Sequence, residues 1–303
     1  MRATLVAERG VVKVAGDGGR NFLHGLVTAD ILSLQATEAR FCALLSPQGK
    51  IIADFLVTEA PGKDGGGFFL DCPRELCGSL VERLNRYKLR SKVVIEDLSG
   101  ILGVLAAWNG TALPPPAETG GTTGLAYADP RLPALGIRMM LPPHRAGAAA
   151  AALGARLVDP ADYEAHRIAL GVPRGGVDFA YGEAFPHETD MDQLAGVDFG
   201  KGCYVGQEVV SRMEHRGSAR TRAVPISYDG TAPPAGSAIT AGGRQLGTIG
   251  SAAAGRAIAL LRLDRVADAL ARGEPLLAVE VPVHLIKPDW ARFTVPEERK
   301  PAE

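Results

Sequence analysis

Lys201-Gly202-Cys203-Tyr204-Val205-Gly206-Gln207-Glu208-Val209-Val210-Ser211-Arg212-Met213-Glu214-His215-Arg216-Gly217 is the densest run of chemistry in the sequence. Two readings of it are open. In one, Gly202 and Gly206 shape a tight turn, and Arg212, Glu214 and Arg216 form a solvated helix face, since charge runs are usually solvated. In the other the stretch is a site. The Cys203 thiol, close in sequence to Lys201 and followed by Arg212, then stands near positive charge that favours thiolate. Gln207 and Glu208 add polar groups that a plain turn does not need. The mixture of thiol, amide and charge favours the site.

Outward toward the N-terminus, Asp159-Pro160 reads as the cap and first turn of a helix that carries Tyr163 and Arg167 and stops at Gly171. Val172–Asp178 and Ala184–Asp190 follow as irregular, Gly/Pro-rich chain leading into the dense stretch, a setting in which binding residues are commonly displayed. Outward toward the C-terminus, the composition shifts near Arg222. Short strands at Pro225–Tyr228, Ser237–Thr240, Leu246–Ser251, Ala257–Leu261, Leu276–Val279 and Val281–Leu285, separated by Gly and Pro turns, predict a small antiparallel barrel. Pro296–Glu303 reads as a frayed tail.

The first half predicts an α+β lobe. A strand at Gly10–Val14 precedes a glycine-rich loop and a helix beginning at Arg20, but the loop lacks the Gly-x-Gly-x-x-Gly and Gly-Lys-Ser/Thr spacings of nucleotide sites. Phe41–Leu45 and Ile51–Val57 form a hairpin around Ser46-Pro47-Gln48-Gly49-Lys50, with Asp54 interrupting an apolar strand, so its carboxylate either faces out or is paired inside. A strand at Gly67–Asp71, an amphipathic helix over Pro73–Leu89, strands at Val93–Glu96, Ile101–Ala107 and Gly136–Met140, and an alanine-rich helix over His144–Leu153 complete it. Leu113–Gly121 is a loop. The basic end of the amphipathic helix, Arg86–Lys92, suits the helix dipole and is able to meet an anion.

The length allows two or three domains. A formal net charge of -1 supplies no global field to draw in nucleic acid or anionic membrane. The absence of a long apolar run or a signal-peptide pattern predicts a cytoplasmic protein with no membrane contact. Four scattered cysteines form no disulfide framework; Cys42 and Cys77 sit among apolar neighbours and read as core. The histidine spacings predict no metal site.

On these residues the chain resembles the folate-binding YgfZ family, relatives of the aminomethyltransferase T-protein of the glycine cleavage system and of a mitochondrial iron–sulfur assembly factor of the same lineage. Lys-Gly-Cys-Tyr-x-Gly-Gln-Glu with Arg212 and Arg216-Gly217 resembles the family signature. Phe22–Asp30 is similar to its early helix motif, Pro47–Asp54 to its hairpin, and Gly247-Thr248-Ile249-Gly250-Ser251 to a turn of its barrel. The resemblance implies an α+β, three-domain aminomethyltransferase-like fold around a central folate-sized hole. Residues 1–45 with 159–222 would form the first lobe, 46–158 the second, and 223–303 a C-terminal antiparallel β-barrel.

By the same resemblance tetrahydrofolate is the implied cofactor, with Glu188 holding the pterin edge, Tyr163 stacking on the ligand and Arg167 meeting its glutamate carboxylate. A buried ring and a surface salt bridge are the alternatives for Tyr163 and Arg167. The T-protein carries two adjacent aspartates at the hairpin where this chain has Ala53-Asp54, which disfavours methylene transfer. The signature residues Lys201, Gly202, Tyr204, Gly206, Gln207, Glu208 and Arg212 mark the other branch. The implied function is therefore a tetrahydrofolate-binding accessory protein that supports iron–sulfur cluster assembly or repair and, through client enzymes, tRNA modification. Cys203 would be the working thiol and iron–sulfur proteins or their assembly machinery the partners. One cysteine does not hold a cluster alone. The alternative is a folate-dependent aminomethyltransferase with Asp54 as its acid/base. Direct tRNA binding is disfavoured by the neutral net charge, leaving tRNA an indirect partner.

Overall fold

The structure is a computed structural model that describes residues 1–110, 125–217 and 219–297. The expected Leu113–Gly121 loop lies outside the described residues, as does most of the expected tail. The chain divides into two units, Met1–Tyr163 with Leu194–Gln207, and Glu164–Gln193 with Glu208–Glu303.

The first unit holds two five-stranded sheets. One has the order Ala39–Leu45, Ile51–Glu59, Phe68–Pro73, Arg9–Ala15, Val94–Asp97, antiparallel throughout. Its core joins Val12, Val14, Phe55 and Leu70 to Phe22 and Leu23 of the helix Gly19–His24 and to Leu80 and Leu84 of the helix Cys77–Tyr87. The expected Pro73–Leu89 helix starts later. Pro73 is still extended and pairs with Arg9, a 3₁₀ turn at Arg74–Leu76 reverses the chain, and only then does the α-helix begin. It ends before Leu89, which has a positive φ of 42°.

The other sheet has the order Arg156–Leu157, Arg2–Leu5, Gly103–Trp108, Ile137–Leu141, Leu125–Ala128. The helix Ala146–Ala152 presents Ala146, Ala149 and Ala150 to the core of this sheet, small side chains that allow close approach. Asp71 of the first sheet is fully buried and accepts hydrogen bonds from Arg9 Nε (2.5 Å), Tyr127 OH (2.9 Å) and Arg138 Nη1 (2.8 Å). Arg138, on the second sheet, also donates through Nε to Asp129, whose carboxylate takes Arg131 in a two-pronged pair. Burial raises the pKa of both aspartates, but the facing guanidiniums outweigh it and hold both carboxyls below their ordinary range. Such a network adds little net stability over an apolar filling, yet removing one member strands a buried charge. It therefore ties the central strand of the first sheet to an inner strand of the second.

The second unit is built on a closed barrel of six strands, Thr221–Tyr228, Arg256–Arg262, Arg244–Ala253, Ala238–Ala241, Leu277–Ala278 and Val281–Leu285 in spatial order. The stretch Gly247–Ser251 lies within a barrel strand, as the Leu246–Ser251 strand expectation had it, and the strand bends where its register shifts between Ile249 and Ala252, so the turn that the resemblance implied there is a bend within a strand. Its glycines permit close approach: a Cβ on Gly247 would lie 2.0 Å from the Leu260 carbonyl oxygen, and one on Gly250 2.3 Å from Asp178 Oδ1. A helix at Leu263–Ala271, absent from the sequence reading, buries Val266, Ala269 and Leu270 against the barrel core. Among the described residues no helix is long and apolar enough to cross a membrane.

Candidate functional site

Two neighbouring stretches and a distant one meet in the first unit: the helix end and turn at Phe22–Asp30, the hairpin at Ala39–Glu59, and the loop Leu194–Gly206. Thr28 is fully buried and joins all three. Its hydroxyl donates to Gly196 O (2.6 Å) and accepts from Ala43 N–H (2.9 Å), while its carbonyl accepts from Asp198 N–H (2.9 Å). Asp198 turns the loop by accepting the backbone N–H groups of Gly200 and Lys201.

Lys201 then turns inward. Its ammonium donates to the carbonyl oxygens of His24 (2.5 Å), Val27 (2.6 Å) and Ala29 (3.1 Å), using its three hydrogens, and lies 5.0 Å from the centre of the Tyr204 ring. The His24 carbonyl ends the short helix Gly19–His24, where such groups lack partners within the helix, and those of Val27 and Ala29 lie in the turn after it, so Lys201 caps the helix end and ties the turn to it. Burial lowers the Lys201 pKa, and burial raises that of the Tyr204 phenol to about 12. Lysine and tyrosine are both buried, whereas Gly202 and Cys203 between them are exposed. Gly206 closes the loop with a φ of 82°, and a Cβ there would lie 2.5 Å from the Ser46 carbonyl oxygen of the hairpin. The thiol is thus held out on a loop that is anchored on both sides.

This placement corrects one part of the sequence reading. Lys201 is not an exposed charge beside the thiol, because its ammonium is enclosed by main-chain carbonyls. Arg212, at the other end of the motif, is exposed and pairs with Glu208 Oε1 one helical turn away (2.7 Å) within the helix Gln207–Arg216. Gln207 is the first residue of that helix. Asp54 is buried to 7% exposure, opposite Ala43 in the hairpin register.

Tyr163 is 4% exposed, packs edge-on against Trp108 with ring centres 5.2 Å apart, and has its hydroxyl 3.2 Å from Arg138 Nη2. In the second unit Arg167 is 3% exposed, and its donors go to Glu164, Asp178, Ser251 and the Val172 carbonyl. All five of its N–H groups are engaged, so a ligand carboxylate reaches it only by displacing one of these partners.

Glu188, also in the second unit, is half-buried at the 3₁₀ turn Pro186–Thr189. One carboxylate oxygen accepts the Phe185 N–H (2.9 Å), and the side chain lines a cleft of about 270 Å³ with Phe185, Met213, Ala219, Arg220, Thr221 and Arg262. Arg222, which the sequence reading did not single out, fixes the adjacent chain. Its guanidinium takes Asp192 with both prongs (2.6 and 2.9 Å), reaches Asp190 Oδ1 (3.3 Å) and donates to the His187 carbonyl (2.7 Å). His187, Asp192 and Glu214 bring ligand-type atoms within 4.8 Å of one another, but Arg222 already holds both Asp192 oxygens.

The fold is that of the aminomethyltransferases. The solved structure of glycine cleavage system aminomethyltransferase T from Bartonella henselae superposes with a TM-score of 0.69 over 98% of this chain and 87% of that one, at 14% sequence identity. Residues 220–293 match the model described as "CAF17, C-terminal beta-barrel domain". The mouse protein named iron-sulfur cluster assembly factor IBA57, mitochondrial, is 31% identical over 93% of this chain and 83% of its own length. The homologue from Pyricularia oryzae is 32% identical over 91% and 76%. This chain belongs to the IBA57 family. A Mycosarcoma maydis homologue is 37% identical over 76% of this chain, and the match spans 58% of that relative's length. These relatives are named as mitochondrial, which lends no support to the cytoplasmic expectation.

Proposed function

We propose that this chain is an accessory factor in iron–sulfur cluster assembly, in the YgfZ-like branch, that binds a tetrahydrofolate and uses Cys203 as its contact to cluster-carrying partners. The exposed thiol between two buried anchors carries this reading. An exposed thiol offers one ligand to a cluster whose other ligands come from a partner, and a fixed loop lowers the entropy lost on docking. The names of the relatives support the cluster role. Glu188 supports a pterin subsite, since a carboxylate pairs with the adjacent N–H donors of a pterin edge and the cleft at Glu188 has room for a ring system. Tyr163 would act through the wall it builds with Trp108, and Arg167 by setting the chain around Asp178. Clients that modify tRNA would make tRNA an indirect partner.

Complementation of a deletion strain, read as aconitase-type cluster enzyme activity, tests the thiol: Cys203→Ser is expected to lose most support at unchanged protein level, and full support would sink the role. Isothermal titration with tetrahydrofolate tests the cleft separately. Glu188→Ala should weaken binding at least tenfold while Cys203→Ser leaves it unchanged; no binding by the unmodified chain would remove folate from the reading.

A further inference from the structure

We propose that Cys72 and Cys77 form a second, independent thiol site, a redox-modifiable pair that a peroxide converts to an intramolecular disulfide. Cys72 lies in the strand Phe68–Pro73 and Cys77 opens the helix Cys77–Tyr87, so the turn at Arg74–Leu76 folds one sulfur back on the other. Their Sγ atoms are 3.4 Å apart, both residues are buried, and Cys77 Sγ also receives the Ser99 hydroxyl at 3.1 Å. Space for Cys77 depends on Gly10, the strand partner of Cys72: a Cβ at Gly10 would lie 2.5 Å from Cys77 Sγ. Plain packing of two apolar residues does not need a hydroxyl donor on one sulfur or a glycine cleared beside it.

The pair is chemically asymmetric. The hydrogen bond from Cys72, and then that from Ser99, lower the Cys77 pKa to about 7, whereas the bond to Cys77 and burial raise that of Cys72. Cys77 is therefore the attacking sulfur. Its thiolate attacks one peroxide oxygen, the O–O bond breaks, and hydroxide leaves and takes up the proton shed by the thiol, giving a sulfenic acid and water. The Cys72 sulfur then attacks the Cys77 sulfur and expels hydroxide, which departs as water with the Cys72 proton. Two thiols and one peroxide yield one disulfide and two waters. Glu75 within the turn and Gly78 just after Cys77 are exposed, so opening that single turn admits the oxidant.

The test uses the full chain carrying Cys203→Ser, which leaves both buried thiols in place. The folded protein is treated with graded hydrogen peroxide, blocked with N-ethylmaleimide and digested with trypsin. Cleavage after Lys63, Arg74 and Arg83 puts Cys72 and Cys77 on separate peptides, 64–74 and 75–83. The expected result is a dithiothreitol-reversible cross-link of these two peptides, rising at least tenfold over the untreated sample. The same chain with Cys72→Ser added should instead hold Cys77 as a sulfenic acid captured by dimedone; if that variant does not fold, the cross-link in the parent decides alone. Recovery of both peptides fully alkylated, or a cross-link that forms only after denaturation, overturns the proposal.

Discussion

Two irregular stretches, nearly continuous in sequence, are pinned by opposite physics. Leu194–Gly206 is held by a buried lysine whose partners are neutral main-chain carbonyls, and Ala184–Asp192 by an arginine whose partners include two carboxylates. The first displays a thiol and the second a carboxylate. An ammonium bound by carbonyls alone keeps its anchor when nearby acids titrate; an arginine bound by acids does not. The compact lysine suits a cage of three converging oxygens, and the planar fork suits a carboxylate.

Breaking the arginine anchor carries the largest expected effect. Arg222→Met strands the buried Asp190 and Asp192 and should cost about 3–5 kcal/mol in urea unfolding at neutral pH. Lys201→Met leaves the His24, Val27 and Ala29 carbonyls without the ammonium and should cost about 2–3 kcal/mol. It should also change the rate at which N-ethylmaleimide alkylates Cys203, a readout that Arg222→Met leaves alone. Gly206→Ala forces a side chain into a left-handed backbone against the Ser46 carbonyl, at about 1–3 kcal/mol.

The two anchors separate further with pH. Burial raises the Asp190 pKa more than Arg222 lowers it. A carboxyl with a raised folded pKa contributes stability that is full below its unfolded value, near 4, and is lost as pH rises through the folded value. Acidification from neutral toward that range therefore neutralises the stranded carboxyl, and the deficit of Arg222→Met should shrink. The deficit of Lys201→Met should change less over the same window: its carbonyl partners do not titrate, and the pH dependence that remains comes through His24, whose pKa burial and then the Lys201 charge hold below its ordinary range. Parallel urea titrations at several pH values check this, and equal pH slopes for the two variants would break the contrast. At the small end, Arg212→Ala removes an exposed pair with Glu208 and should change stability by less than about 0.5 kcal/mol.

Much of the framework was legible because it rests on local patterns. The hairpin around Ser46–Lys50, the helix from Pro160 and the strands of the barrel announce themselves by alternation and by Gly/Pro punctuation. The helix Leu263–Ala271 was missed although Leu263, Val266 and Leu270 fall at helical spacing, since the surrounding barrel reading absorbed it. The Cys203 loop was legible as a site, but the work of Lys201 was not. Its partners are carbonyls 172 to 177 residues away, and a main-chain oxygen leaves no letter in a sequence. Arg167 shows the same limit from the other side: Tyr163 and Arg167 are neighbours on a helix, yet beyond its helix neighbour Glu164 the arginine is saturated by the Val172 carbonyl, Asp178 and Ser251.

The late return of Leu194–Gln207 to the first unit has a consequence for biosynthesis. The carbonyls of His24, Val27 and Ala29 are made early, but the lysine that closes on them emerges only after the chain has left that unit and begun the second. During translation, at roughly 5–20 residues per second, the N-terminal body waits on the order of seconds with those groups open to water. The segment bearing Cys203 is thus the last to be stitched into it. A nascent chain arrested before residue 201 should expose the turn at His24–Ala29 to protease, and one released beyond residue 207 should protect it.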